Sequence, residues 1–160
     1  MTQRLIHYSV KPVELLKPMQ PGTRHNGKPA GLWVSVEGED DWRAWCEGEH
    51  WNLEALAFEH EVTLSASATI LRLRDSRDID RFCERYAEPA PRRERLTIAW
   101  PAVAKEYQGI IIAPYCWERR LSDHCLWYYG WDCASGCIWD VAAIERLVCR
   151  PAERAPSCPA

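Results

Sequence analysis

Two stretches of sequence decide the fold, residues 4–9 (RLIHYS) and residues 31–45 (GLWVSVEGEDDWRAW). The first predicts a short strand that ends on the polar residue His7. The second predicts an apolar strand that turns polar at Ser35, then an acidic turn and a helix that carries tryptophans. Because rigid scaffolds present functional side chains where strands end, these two stretches predict a functional site.

Length and composition predict one folded domain in residues 1–150 and a flexible, proline-rich tail in residues 151–160. Of the 160 residues, 47% are apolar and 27% are charged, which are ordinary proportions for a globular protein. We expect a cytoplasmic protein with no membrane partner, because no apolar run could span a bilayer and the N-terminus lacks the apolar core of a secretory signal. The net charge of −3 disfavours nucleic acid as the main partner.

The order of apolar and polar residues predicts an α+β fold, with strands separated by short helices. No glycine-rich loop precedes a helix, so a Rossmann or P-loop nucleotide site is not expected. Residues 88–95 are predicted as a loop. Strands are predicted at residues 4–9, 32–36, 60–66, 69–74, 109–115, 125–129 and 136–139.

Four helices are predicted, two of them after acidic caps. The first begins after Asp40 or Asp41 and places its tryptophans and Cys46 on one face. The second begins after Asp75 or Ser76. The other two are predicted at residues 100–107 and 141–148.

Tryptophan and cysteine are unusually frequent, with nine and eight residues respectively. We expect most tryptophans to pack in the core and one or two to face a ligand. A zinc site would draw on His124, Cys125, Cys133 and Cys137, but no second paired knuckle follows at a suitable interval. No metal is therefore expected.

The chain resembles the ADP-ribosyltransferases of the diphtheria-toxin and poly-ADP-ribose-polymerase type in the order of its elements. Those proteins have a first strand ending in histidine, a glycine–apolar–aromatic run into a second strand, and a helix with an aromatic that stacks on nicotinamide. Here the corresponding features are His7, the run GLWVS at residues 31–35, and the helix with Trp42 and Trp45. The run Tyr107-Gln108-Gly109-Ile110 is similar to one that enters a late strand in small bacterial and phage members.

The resemblance implies a fold of two packed, mostly antiparallel sheets with short flanking helices, and a site that binds NAD. His7 would donate a hydrogen bond to the nicotinamide ribose, and the adjacent Tyr8 and Ser9 would bind the amide. Ser35 would belong to the NAD-binding strand. The aromatic side chains that could stack on nicotinamide are Trp33, Trp42 and Trp45.

The family also has an acidic residue before a late strand, which stabilises positive charge as nicotinamide leaves. Asp132 is the best match, with Asp140 and Glu118 as rivals, and aspartate is shorter than the usual glutamate. The resemblance thus implies a mono-ADP-ribosyltransferase. Its likeness to phage-encoded members implies a phage or mobile-element effector that modifies a host protein, such as a component of a defence complex.

Three other functions stay open. A non-enzymatic interaction or inhibitor protein would use tryptophans as an interface hot spot and the acidic turn at residues 37–41 against a basic surface. A thiol nucleophile would pair Cys133 or Cys137 with His124. A zinc-stabilised module would use the cysteines as ligands.

Overall fold

The computed structural model describes residues 3–14, 27–89 and 96–152, and these form the α+β fold that the sequence predicts. The helices are α1 (Trp42–Glu49), α2 (Ser76–Tyr86) and α3 (Trp100–Val103). Short 3-10 helices span Leu53–Leu56, Trp117–Arg119, Asp123–Gly130 and Val141–Ala143. The strands are β1 (Leu5–Ser9), β2 (Leu32–Val36), β3 (Phe58–Leu64), β4 (Ile70–Leu73), β5 (Ala87–Pro89), β6 (Leu96–Ile98), β7 (Gly109–Ile112), β8 (Ser135–Ile138) and β9 (Ile144–Pro151).

The strands form a seven-stranded sheet in the order β4-β7-β8-β2-β1-β3-β9 and a two-stranded sheet of β5 and β6. Among the described strands only the β4–β7 pair is parallel, and the chain between these strands contains α2 and α3. Strands β7 and β8 are buried along their whole length, as expected for central strands covered on both faces. The two stretches that decide the fold become adjacent strands, β1 and β2, in the middle of the large sheet.

Both predicted caps are confirmed, and at each the structure selects one of the two alternatives. The Asp41 side chain accepts a hydrogen bond from the backbone N–H of Ala44 and so begins α1. In the same way the Asp75 side chain accepts from the N–H of Asp78 and begins α2. Helix α1 ends at Glu49, and the next residue, His50, has a left-handed backbone (φ of 51°) that turns the chain away.

Two predicted elements are wrong. Residues 125–129 belong to the 3-10 helix Asp123–Gly130, because this segment packs the Trp127 ring against Phe82 of α2 rather than pairing with a strand. Residues 141–148 form only one 3-10 turn and then strand β9, which pairs with β3 along its length. The hydrogen bonds that this segment makes with β3 at the edge of the sheet outweigh its local preference for a helix.

Other boundaries shift without changing the architecture. The predicted loop at 88–95 begins inside β5, which pairs with β6, and its residues 90–95 lie outside the described residues. The third helix, α3, ends at Val103 instead of residue 107. The predicted tail likewise lies outside the described residues, except for residues 151 and 152.

The core is rich in aromatic side chains whose polar atoms are paired. Trp100, Trp131 and Trp139 are almost fully buried. Their indole N–H groups donate to the backbone carbonyls of Gly27, Ser135 and Tyr107 respectively. Buried indoles without such acceptors would destabilise the fold. No helix in the described part of the chain has the length and apolar character needed to cross a bilayer.

Candidate functional site

A cleft opens where β1 separates from β2. The two strands are paired only at Leu5↔Val36 and Ile6↔Ser35, whereas β1 stays paired with β3 as far as Ser9. Beyond Ile6, the diverging strands leave a cleft of about 400 Å³. This volume lies within the range of about 300–1,000 Å³ that is typical of small-molecule sites. Six predicted site residues line it: His7, Tyr8, Trp33, Ser35, Trp42 and Asp132.

His7 lies in the middle of β1 and not at its end as predicted. Its Nδ1 lies 2.7 Å from the backbone carbonyl oxygen of Trp33, so Nδ1 carries a proton and donates a hydrogen bond to that oxygen. This side-chain bond bridges β1 and β2 where their backbone pairing has ceased. Burial lowers the pKa of His7, and a charge on nearby His60 would lower it further, against the opposing effect of the Trp33 carbonyl.

A neutral His7 protonated on Nδ1 leaves Nε2 as a hydrogen-bond acceptor. No buried side-chain nitrogen or oxygen in the described ranges lacks a partner, and Nε2 makes no hydrogen bond to a described residue. The atom is therefore open to the cleft that His7 lines. The predicted role thus changes in one respect, because neutral His7 would accept a hydrogen bond from a ribose hydroxyl instead of donating one.

His60, on the neighbouring strand β3, helps to fix the position of His7. It is fully buried on β3 opposite His7, and its Nδ1 donates to the His7 backbone carbonyl at 3.1 Å. Its Nε2 accepts from the backbone N–H of Val13 at 2.8 Å. Both ring nitrogens are thus satisfied, which makes His60 a structural residue.

Tryptophans form one wall of the cleft. The Trp33 ring lies 4.7 Å from that of Trp131, and the Trp42 ring stacks on Trp45 with centroids 5.0 Å apart. The Ser35 hydroxyl accepts a hydrogen bond from the backbone N–H of Trp42 at 2.9 Å, which ties the start of α1 to β2. Ser35 therefore has a structural contact in addition to its place in the cleft.

Two predicted site residues do not line the cleft. Trp45 supports Trp42 from its other side, and Trp51 packs edge-on against both rings. The Ser9 hydroxyl donates to the backbone carbonyl of Lys11 at 2.6 Å. Neither side chain is placed to touch a ligand held in the cleft.

Asp132 is the acidic residue that the fold brings to the cleft, three residues before β8. Its carboxylate oxygens lie 3.8 Å from Lys28 Nζ and 3.8 Å from an Arg120 nitrogen. Burial raises the pKa of Asp132, and the two cations oppose that rise. Lys28 and Arg120 therefore favour the charged form of Asp132 although this side chain is partly buried.

The two rival acids lie elsewhere. Asp140 accepts a hydrogen bond from the side chain of Gln108 at 2.7 Å and caps the turn at Ala142. Glu118 is exposed in the 3-10 helix Trp117–Arg119. Neither lines the cleft, so Asp132 is the only one of the three that can contact a ligand there.

Sequence reasoning did not identify Lys28, Asn52, Arg120 and Trp131 as parts of this region. Lys28 lies over the Trp33 ring, with Nζ 5.2 Å from the centroid, and Arg120 lies 5.7 Å from the Trp117 centroid. Lys28 and Arg120 come from segments rich in turn formers and charge, where nothing in the sequence separates a site residue from a solvated one. Asn52 could have been noticed in the sequence because asparagine tolerates a left-handed backbone, and Asn52 adopts that conformation in the structure.

The cysteines do not supply a nucleophile in the cleft. Burial raises the pKa of Cys133 to about 12, so its thiol stays protonated at neutral pH. His124 contacts Asp80 on α2, and Cys137 donates to the backbone carbonyl of Pro29. The described residues therefore assemble neither the thiol–histidine pair nor the zinc set of His124, Cys125, Cys133 and Cys137.

The cleft combines aromatic faces, an acceptor nitrogen and a carboxylate held between two cations. Such a site suits a ligand that has a flat ring, hydroxyl groups and anionic groups. No family model, no curated protein and no solved structure matches this chain.

Proposed function

We propose that this protein is an NAD-dependent mono-ADP-ribosyltransferase. The observation that carries the proposal is that His7, Trp42 and Asp132, which come from distant parts of the chain, line a single cleft.

The cleft has groups suited to each part of the nicotinamide end of NAD. Trp33 and Trp42 offer aromatic faces for the nicotinamide ring. His7 Nε2 would accept a hydrogen bond from a hydroxyl of the adjacent ribose. Lys28, which also lines the cleft, would place a positive charge near the diphosphate.

The reaction breaks the bond between nicotinamide and C1 of its ribose and joins that carbon to a nucleophile of the acceptor, with release of nicotinamide and a proton. Asp132 would stabilise the positive charge that develops on the ribose as the bond breaks. We further propose, from the likeness to small phage-encoded members, that the acceptor is a host protein and that the enzyme acts in the host cytoplasm.

The test measures release of nicotinamide from NAD, and transfer of label from adenylate-labelled NAD to protein, in bacterial lysate. His7→Asn keeps a donor near Nδ1 and removes Nε2, whereas Asp132→Asn keeps the shape and removes the charge. Each is expected to lower kcat/KM by about 10²–10³-fold. Matched controls are His50→Asn and Asp123→Asn, which are exposed residues outside the cleft and should leave activity unchanged.

The two variants should differ in binding. Asp132→Asn is expected to bind NAD and to release little nicotinamide, whereas His7→Asn should bind NAD more weakly. Equal nicotinamide release and label transfer by wild type and both variants would rule out the enzymatic function.

One observation favours a second function, that of a non-enzymatic interaction protein. Trp42, Trp45 and Trp51 form a ring cluster, and Trp51 is 51% exposed next to Leu53, which is 47% exposed. Exposed aromatic clusters are common at protein interfaces. Stoichiometric binding of a host protein without NAD would favour this function if binding is lost in Trp51→Ala and retained in His7→Ala and Asp132→Ala.

A further inference from the structure

A second group of reactive side chains lies between α2 and the 3-10 helix Asp123–Gly130, outside the lining of the cleft. Asp80 and Cys83 are three residues apart on α2 and therefore share a face of that helix. His124 and Cys125 are consecutive residues at the start of the 3-10 helix. The packing of these two elements brings all four side chains together.

The spacing of the side-chain atoms matches that of metal ligands. His124 Nε2 lies 3.2 Å from Asp80 Oδ1, and Cys125 Sγ lies 3.9 Å from the same oxygen. All three ligand atoms lie within 4.8 Å of one another. In a tetrahedral zinc site, bond lengths of about 2.0–2.3 Å place neighbouring ligand atoms about 3.3–3.8 Å apart.

Cys83 supplies a candidate for a fourth ligand. Its Sγ lies 3.1 Å from Cys125 Sγ. It also accepts a hydrogen bond from the Trp127 indole N–H at 3.0 Å, the kind of contact that orients a metal-bound thiolate. Cys83 Sγ lies outside the group of three ligand atoms, so the Cys83 side chain would have to rotate to complete the site.

We propose that Asp80, Cys83, His124 and Cys125 bind one Zn²⁺ ion. Thiolate and imidazole ligands select zinc over magnesium or calcium, which prefer oxygen. Four protein ligands make a closed, structural site, which would cross-link α2 to the 3-10 helix. Release of the two thiol protons accompanies binding.

The neighbouring charge fits this assignment. The Arg119 guanidinium contacts both oxygens of Asp80 at 2.7 Å. With one carboxylate, two thiolates and this guanidinium, the cluster would carry two negative charges, which one Zn²⁺ ion balances. Arg119 can keep its bond to Oδ2 while Oδ1 binds the metal. The His124 side chain is 57% exposed, which gives the ion access from solvent.

The test titrates the full-length protein, reduced and free of chelator, with Co²⁺ and then with Zn²⁺. We expect one equivalent of Co²⁺ to produce intense visible bands of a tetrahedral ion and a sulfur-to-cobalt charge-transfer band, and one equivalent of Zn²⁺ to abolish both. His124→Ala and Cys125→Ser should each weaken binding by at least about 100-fold. Cys149→Ser changes an exposed cysteine on β9 and should bind as the wild type does.

His124→Ala keeps the test valid even if loss of the buried Cys125 thiol impairs folding, because His124 is exposed. Absence of the tetrahedral spectrum in the reduced wild type would overturn the zinc site. Unchanged affinity in a folded His124→Ala variant would also overturn it. In Cys83→Ser, a charge-transfer band equal to that of wild type would overturn the assignment of the fourth ligand.

Discussion

At the scale of single residues, burial shifts the pKa values of the two principal side chains of the cleft in opposite directions. It lowers the pKa of His7 and raises that of Asp132, because it disfavours the charged form of each. Lys28 and Arg120 counteract this effect for Asp132 alone. The same cleft therefore holds a neutral imidazole and a carboxylate whose charge two cations compensate.

His7 should titrate below the ordinary histidine pKa of about 6.5. Between the folded-state pKa and about 6.5, the unfolded chain binds more protons, so His7 contributes stability that is present above about pH 6.5 and lost as pH falls through its folded-state pKa. NMR titration of the imidazole resonances, assigned with His7→Asn, measures the midpoint. A midpoint at or above 6.5 would contradict the assigned hydrogen bonding and burial.

His60→Leu should lower the free energy of unfolding by at least about 2 kcal/mol. The substitution leaves the Val13 N–H and the His7 carbonyl without their side-chain partner, and each unsatisfied backbone group costs about 1–3 kcal/mol. Urea denaturation provides the measurement. His50→Asn is the control, since it suits the left-handed backbone at an exposed position and should change stability by less than about 0.5 kcal/mol. A similar effect of the two substitutions would argue against a structural role for His60.

At the scale of elements, the sequence predicts best where local signals agree. Strand β2 lies at its predicted residues, and α1 and α2 begin at predicted acidic caps. Strand β9 could not be predicted in this way, because its segment reads locally as a helix and becomes a strand only through pairing with β3. The cleft lies where β1 and β2 separate. How far the two strands pair decides that point, and the sequence of either strand alone does not predict it.

Two glycine substitutions should have opposite effects. At Gly136 in β8, a Cβ would lie 2.8 Å from the Ile111 side chain and would collide with the Ile110 carbonyl, so Gly136→Ala should destabilise by about 1–3 kcal/mol. Gly48 lies in α1 with nothing near its Cβ position, so Gly48→Ala should stabilise by about 0.5–1 kcal/mol. Thermal unfolding monitored by circular dichroism distinguishes the two. A stabilising Gly136→Ala would show that β7 and β8 leave more space at Gly136 than these distances allow.

At the scale of the whole molecule, the tryptophans divide between core and cleft. Trp100 and Trp139 belong to the core, Trp33 and Trp42 line the cleft, and Trp131 belongs to both. Since β2 lies between β1 and β8, the sheet places the cleft at its centre, where side chains from both neighbours meet. The expectation that most tryptophans fill the core is met only in part, because Trp51 and Trp117 are exposed. That one or two of them face a ligand stays a prediction.

NAD should quench the intrinsic fluorescence if the proposed function is right, because aromatic rings in contact with nicotinamide lose emission. Trp42→Phe should give a clearly smaller quench. Trp117→Phe, at an exposed position outside the cleft lining, should not. A fluorescence titration of the three proteins measures the effect. Equal quenching in all three would place NAD away from Trp42.

The sequence by itself determined the α+β class, strand β2, the caps of α1 and α2, and a set of candidate residues, because each depends on spacing within a few neighbouring residues. Only the tertiary structure decided which candidates meet. It brought Asp132 to the cleft and left Asp140 and Glu118 outside, and it placed Ser9 and Trp45 away from the lining. The physical reason is that strand pairing and long-range packing position these side chains, and neither is encoded by local periodicity.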